Sequence, residues 1–245
     1  MPDKRTFSFE FFPPKTPEGM EKLRATRQQL AQLKPKFFSV TYGAGGSTRD
    51  RTLETVMEIQ ASGSASAPHL SCIGSTQESI QEILDLFKAK GIRHIVALRG
   101  DLPSGMADPG EFRYANELVA FIRKQTGDWF HIEVAAYPEF HPQAKNAQDD
   151  LANFKRKVEA GANAGITQYF YNADAYFRFV DDCVAMNVNI PIVPGIMPIT
   201  NCAQLSRFSD ACGAEIPRWI RKRLEAYGED LDSIRAFGLD VVTDL

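Results

Sequence analysis

Seven short strand-like runs recur along this chain, and amphipathic helix patterns lie between them. The runs are Phe7–Phe12, Phe37–Tyr42, His69–Ile73, His94–Leu98, Ile132–Tyr137, Ile166–Tyr171 and Ile190–Ile196. Thr16 and Pro17 read as the N-cap and first turn of a helix whose inner face carries Met20, Leu23, Leu30 and Leu33. Ser75 and Glu78 read as a capping box before Ile80, Ile83, Leu84 and Phe87, and Gly91 closes that helix. Further helices are expected over Arg51–Ser62, Arg113–Gln125, Asn146–Ala160 and Ala173–Met186. Strict βα alternation demands a parallel sheet, and right-handed crossovers leave an open doubly wound sheet or a closed barrel.

Polar residues decide between these two. Glu10, Thr41, His69, Arg99 with Asp101, Tyr137 and Gln168 fall at the C-terminal ends of different strands, where a barrel gathers them on one face. An open sheet would concentrate its site at one switch point. A (β/α)8 TIM barrel of the α/β class is therefore expected, with residues 1–245 as a single domain and seven of eight βα units present. The segment Gly238–Leu245 reads as an amphipathic helix stopped partway, so the barrel is expected to be C-terminally incomplete.

At 245 residues and 44% hydrophobic, the chain can bury a full core. A formal net charge of −3 gives no general pull toward nucleic acid or an anionic membrane. Cys72, Cys183, Cys202 and Cys212 lie far apart without CxxC spacing, which points to buried or incidental thiols in a reducing cytoplasm. The start of the chain has no apolar stretch of signal-peptide type, and prolines break the apolar region Val184–Ile199. A cytoplasmic protein is expected.

Within Phe7-Ser8-Phe9-Glu10-Phe11-Phe12-Pro13-Pro14, alternation puts Phe7, Phe9 and Phe11 on one face and Ser8, Glu10 and Phe12 on the other. A carboxylate among aromatics either reaches solvent or serves a purpose that offsets its burial. Gly43-Ala44-Gly45-Gly46 is a glycine-rich loop whose spacing does not fit a dinucleotide fingerprint. Asn153, Arg156 and Lys157 share one helix face, either solvated or clamping a diphosphate. His69 and His141, each beside a proline, are not spaced as metal ligands, and no metal is expected.

Taken in order, these motifs resemble the bacterial-type methylenetetrahydrofolate reductase family along essentially the whole chain. The resemblance rests on Phe9-Glu10-Phe11-Phe12-Pro13-Pro14, Ser39-Val40-Thr41-Tyr42-Gly43-Ala44, Ala67-Pro68-His69-Leu70 and His94 through Pro103. It continues with Ala135-Ala136-Tyr137-Pro138-Glu139, His141-Pro142, Lys155-Arg156-Lys157, Gly161-Ala162 and Ile166-Thr167-Gln168. It implies FAD bound without a dinucleotide fingerprint, and reduction of 5,10-methylenetetrahydrofolate to 5-methyltetrahydrofolate by NAD(P)H in ping-pong fashion. Glu10 is implied as the general acid, Asp101 as a group near the flavin that hydrogen-bonds the pterin, and Gln168 as a substrate contact. Thr41, Tyr42, Ala44, His69, Arg99, Gly100, Asp101, Ala115, Tyr137, His141, Asp150, Asn153, Arg156 and Lys157 match cofactor-contacting positions, with Tyr114 beside Ala115; Thr41 also joins the substrate set.

A homo-oligomer is expected. Cys202 stands where the family places an aromatic against bound substrate, and the family's eighth strand has no counterpart here. Ring opening to an iminium ion needs a proton donor in a dry pocket, so Glu10 is expected to be desolvated, with its pKa raised further by Asp101. Two rivals stay open: another FAD-dependent barrel of proline-dehydrogenase type, and a flavin- or folate-binding protein inactivated by truncation.

Overall fold

The computed structural model describes residues 5–42, 49–101 and 110–245. Its strands are β1 (Phe9–Phe11), β2 (Phe38–Val40), β3 (Ser66–Ser71), β4 (His94–Leu98), β5 (His131–Ala136), β6 (Ala164–Thr167) and β7 (Ile192–Val193). Between them lie α1 (Pro17–Ala31), α2 (Arg49–Ala61), α3 (Gln77–Ala89), α4 (Ala115–Thr126), α5 (Ala147–Glu159) and α6 (Ala173–Ala185). After β7 come α7 (Cys202–Cys212), α8 (Arg218–Tyr227) and α9 (Leu231–Asp244). The strands stand in chain order from β1 to β7, and β1/β2, β2/β3, β3/β4, β4/β5 and β6/β7 pair in parallel. This is the expected α/β class with the strand order of a (β/α)8 barrel, of which the described residues supply seven strands. Among those residues no helix is long and apolar enough to cross a membrane.

The chain divides into two compact units, Met1–Val134 with Ala160–Ala162, and Ala135–Glu159 with Asn163–Leu245. In the first, α1 begins as its sequence dictates. Thr16 is the N-cap, its Oγ1 accepts from the Gly19 N–H at 3.1 Å, and a proline occupies the first turn. Helix α3 buries Ile80, Leu84 and Phe87 at helical spacing, each contributing about 1.5–3 kcal/mol.

Its cap corrects the sequence reading. Thr76 and Ser79 form the capping box, one residue beyond Ser75 and Glu78. Ser75 is taken by extended pairing with Gly110, and its carbonyl accepts from the Glu111 N–H at 3.0 Å. Strand β3 likewise begins at Ser66, ahead of the expected His69, because the strand runs through Pro68, which pairs with Val40. Proline in a run normally argues against a strand interior.

The second unit closes around Tyr169, Tyr171, Ile199, Leu205, Ile220 and Leu224, which α7, α8 and α9 cover. Strand β6 ends at Thr167, earlier than expected, because Tyr169 and Tyr171 turn into this cluster. Tyr169 OH lies 3.0 Å from Ser209 Oγ, and Tyr171 OH donates to the Met197 carbonyl at 3.2 Å. Two glycines permit close backbone approach. A Cβ at Gly195 would stand 2.2 Å from the Thr167 carbonyl oxygen, and one at Gly238 would stand 2.2 Å from that of Ile199. The last helix begins at Leu231, so Gly238 is mid-helix and not the start of the segment.

Candidate active site

In the first unit, register builds the polar face. Glu10 pairs with Ser39 and Ser39 with Ala67. His69, two residues beyond Ala67, therefore shares the face of Glu10. Phe9 and Phe11 take the opposite face and stack on Phe38 at 6.1 and 5.5 Å between ring centroids. His69 Nε2 stands 3.5 Å from Glu10 Oε2, longer than a well-made hydrogen bond but close enough for strong charge coupling.

This pair overturns the expected raised pKa of Glu10. Burial pushes the carboxyl upward, but the charge and hydrogen bonding of His69 outweigh it, and the net position is below the usual glutamate value. Asp101 is not among the causes, and the Glu10 side chain is still 47% exposed. Glu10 is thus an anion at neutral pH. Its pairing stabilises the fold above the unfolded carboxyl's pKa, and that contribution is lost as pH falls through the lowered folded value.

The other candidates of this unit hold backbone positions. Thr41 N–H donates to the Phe11 carbonyl at 2.9 Å, and its own carbonyl accepts from Thr52 Oγ1 at 2.8 Å. Tyr42 and His69 both line a cavity of about 190 Å³. Arg99 Nε donates to the Gly100 carbonyl at 3.1 Å, and Ser71 Oγ to the Arg99 carbonyl at 2.9 Å. Gly100 has φ +86°, and a Cβ there would meet Ser71 Oγ at 1.9 Å, so the Arg99–Gly100 turn requires glycine. Asp101 follows it, exposed. Tyr114 caps α4 ahead of Ala115 and is 58% exposed. Ala44 and its glycine-rich loop lie outside the described residues, as do Leu102 and Pro103.

The second unit carries the basic helix face. Arg156 Nη1 donates to Asn153 Oδ1, a contact that i, i+3 spacing allows. Lys157 Nζ donates to the Ala135 carbonyl at 2.6 Å. Burial pushes the ammonium down to about 8, with only Asp150 pulling it back. Asp150 also accepts from the His141 N–H at 2.9 Å, and the His141 ring meets Tyr137 edge-on at 4.7 Å. Tyr137, His141, Asp150 and Lys157 are thereby tied into one arrangement. A desolvated ammonium and a guanidinium on the same helix are donor types suited to a diphosphate.

Gln168 N–H donates to the Ala136 carbonyl at 2.8 Å, and its Oε1 accepts from the Tyr169 N–H at 3.0 Å. Cys202 opens α7 and packs against the aromatic cluster. Sequence reasoning placed His69 only with the cofactor and missed that it partners Glu10; the signal lies in strand register, which spacing along the chain does not carry.

The family described as methylenetetrahydrofolate reductase matches residues 2–245. The chain is 45% identical to 5,10-methylenetetrahydrofolate reductase of Escherichia coli (strain K12), over 97% of this chain and 79% of that protein. It is 40% identical to methylenetetrahydrofolate reductase (NADH) 1 of Arabidopsis thaliana, over 98% of this chain and 43% of that one. Among solved structures, a protein from Clostridium thermocellum that binds two copies of 5-methyl-5,6,7,8-tetrahydrofolic acid shares the fold. Its TM-score is 0.66 at 16% identity, covering 98% of this chain and 81% of that one.

Proposed function

The chain belongs to the methylenetetrahydrofolate reductase family, and from that membership we propose that it reduces 5,10-methylenetetrahydrofolate to 5-methyltetrahydrofolate, with NAD(P)H as electron donor and FAD as cofactor. The observation that carries the chemistry is the Glu10–His69 pair, 3.5 Å apart. The methylene bridge between two nitrogens accepts electrons only after the ring opens to an iminium ion, and that opening needs a proton. Glu10 delivers it. In the free protein Glu10 is a carboxylate, so the proton must arrive with, or after, substrate. Bound folate excludes water, which raises the proton affinity of the carboxyl, and His69 is the neighbour able to hand a proton over. FAD supplies hydride transfer, which no side chain can perform. Asp101 and Gln168 are the further substrate contacts of this reading. NAD(P)H and folate take turns, giving ping-pong kinetics.

Arg156 and Lys157 would hold the diphosphate of FAD. The fit rests on the Lys157 ammonium, desolvated and met by the Ala135 carbonyl, the Phe154 ring at 5.6 Å and the nearby Asp150 charge. Without the anion the charge is unfavourable: its folded pKa near 8 lies below the ordinary lysine value of 10.5, so the cost is full below pH 8 and is relieved as pH rises toward 10.5. Lys157→Met should therefore raise the melting temperature of the flavin-free protein at pH 7, flatten its rise in stability between pH 8 and 10.5, and lower FAD retention. A variant that loses stability and keeps FAD sinks the assignment of Lys157.

The reaction itself is tested by following NADH oxidation with and without methylenetetrahydrofolate, and the visible spectrum of the FAD-loaded protein. Folate-dependent oxidation supports the reading. A yellow protein bleached by NADH but indifferent to folate would mark a different flavin enzyme, and a protein that binds flavin or folate without turnover would mark a binding protein.

A further inference from the structure

Three side chains with no part in the proposed reaction meet at the beginnings of β4 and β5. His94 opens β4, His131 opens β5, and the two are direct partners in the sheet, with Val96 opposite Glu133. Residues two apart on a strand share a face, so His94, His131 and Glu133 project to one side. One ligand atom from each lies within 4.8 Å of the other two. His131 Nε2 is 3.6 Å from Glu133 Oε1, near the roughly 3.3 Å between ligands that metal bonds of about 2.0–2.1 Å impose on a tetrahedron. The other separations, within 4.8 Å, have to close toward that value when an ion binds.

The donors are also unused. His94 Nδ1, His131 Nε2 and Glu133 Oε2 are each buried with no hydrogen-bond partner among the described residues. Buried polar atoms are nearly always partnered, so an unpartnered atom on each of three clustered side chains needs an explanation. Glu133 is only 3% exposed, and burial lifts its carboxyl to about 7, with Lys36 and His69 pulling it back. Burial lowers His94 to about 4, helped by His131 and Lys36, and lowers His131, helped by Lys36 and Arg123. Both imidazoles are therefore neutral at pH 7, the form that ligates a metal. Lys36 is exposed on a flexible stem and can carry its charge into solvent.

We propose that His94, His131 and Glu133 form a divalent-metal site of the zinc class, holding one ion through two imidazole nitrogens and a carboxylate, with water in the fourth position. The ion clamps β4 and β5 through their first residues, His94 and His131, and through Glu133, which lies level with His69 by way of Val96. Its role is stability, because one ion ties two neighbouring strands together. Spacing along the sequence hides the site because its ligands come from two strands.

The test uses the full chain, stripped with chelator and dialysed. ZnCl₂ binding is followed by calorimetry, CoCl₂ binding by visible absorption, and melting temperature with and without Zn²⁺. Wild type should bind one equivalent, show the d–d bands of tetrahedral Co²⁺ with nitrogen and oxygen ligands, and melt higher with metal. Glu133→Gln and His131→Asn should each weaken binding by more than about 100-fold, beyond the range seen for losing an outer-shell group. If Glu133→Gln does not fold, His131→Asn at the less buried position carries the comparison. No binding by wild type overturns the proposal and leaves the cluster as a proton-sharing pair. Undiminished binding by the variants overturns it too, since the ion then sits elsewhere.

Discussion

Glu10→Gln should leave reduction of bound flavin by NADH within about tenfold of wild type, while slowing reoxidation by methylenetetrahydrofolate by about 10²–10⁴-fold, the range for a lost general acid. The amide keeps the size of the side chain and can still face His69 across the 3.5 Å gap. It cannot give up a proton to open the folate ring. Donation of electrons by NADH to the flavin needs no such acid, so the two half-reactions should part. Stopped-flow absorbance of the flavin measures both in one preparation. Equal losses in both would mean that Glu10 shapes the pocket, and no loss in either would mean that the proton comes from another group. The lowered pKa of Glu10 adds a second signature. Because the free enzyme holds the carboxylate, the folate half-reaction should fade as pH rises and proton supply runs down, while the NADH half-reaction stays comparatively flat.

Gly238→Ala should destabilise the protein by about 1–3 kcal/mol, as overpacking does, although glycine to alanine within a helix ordinarily gains up to about 1 kcal/mol. The reversal of sign follows from one contact. The added methyl would lie 2.2 Å from the Ile199 carbonyl oxygen and 2.8 Å from Ile199 Cβ, and backbone cannot swing aside as a flexible side chain can. Ile199 belongs to the cluster of Tyr169, Tyr171 and Leu205, so α9 would lose its seat on that cluster. A shift of roughly 2–4 °C in melting temperature per kcal/mol is expected for a chain of this size. Leu239→Ala, at an exposed position of the same helix, should change stability by no more than about 0.5 kcal/mol. An unchanged or raised melting temperature for Gly238→Ala would show that α9 does not approach Ile199 so closely.

Much of the architecture was legible because it is local. The hydroxyl of Thr16 before Pro17, and the apolar spacing of Ile80, Leu84 and Phe87, act over a few residues and specify their helices wherever the chain goes. Alternation in Phe9-Glu10-Phe11 placed Glu10 on the face opposite Phe9 and Phe11, and the structure keeps it there. The order of βα units was equally plain, because the change from period 2 to period 3.6 is written residue by residue. The basic face of α5 could be seen as a face, and the Arg156–Asn153 bond follows from helical geometry alone.

What the sequence could not decide depends on which residues of distant segments become neighbours. His69 reaches Glu10 only through the registers of β1 with β2 and β2 with β3, and its charge and hydrogen bonding together outweigh burial in setting the direction of the carboxyl's pKa. Ser75 lost the cap of α3 to Thr76 because Gly110 claimed its backbone. Gly238 reads as an ordinary weak point in a helix until the Ile199 carbonyl is found against it. The donor atoms of His94, His131 and Glu133 converge only once β4 and β5 pair. Periodicity and capping are properties of a segment, so the sequence by itself determined the elements and their order. Register, close backbone approach and the electrostatics of a side chain are properties of pairs distant along the chain, so only the tertiary structure decided the chemistry of the site.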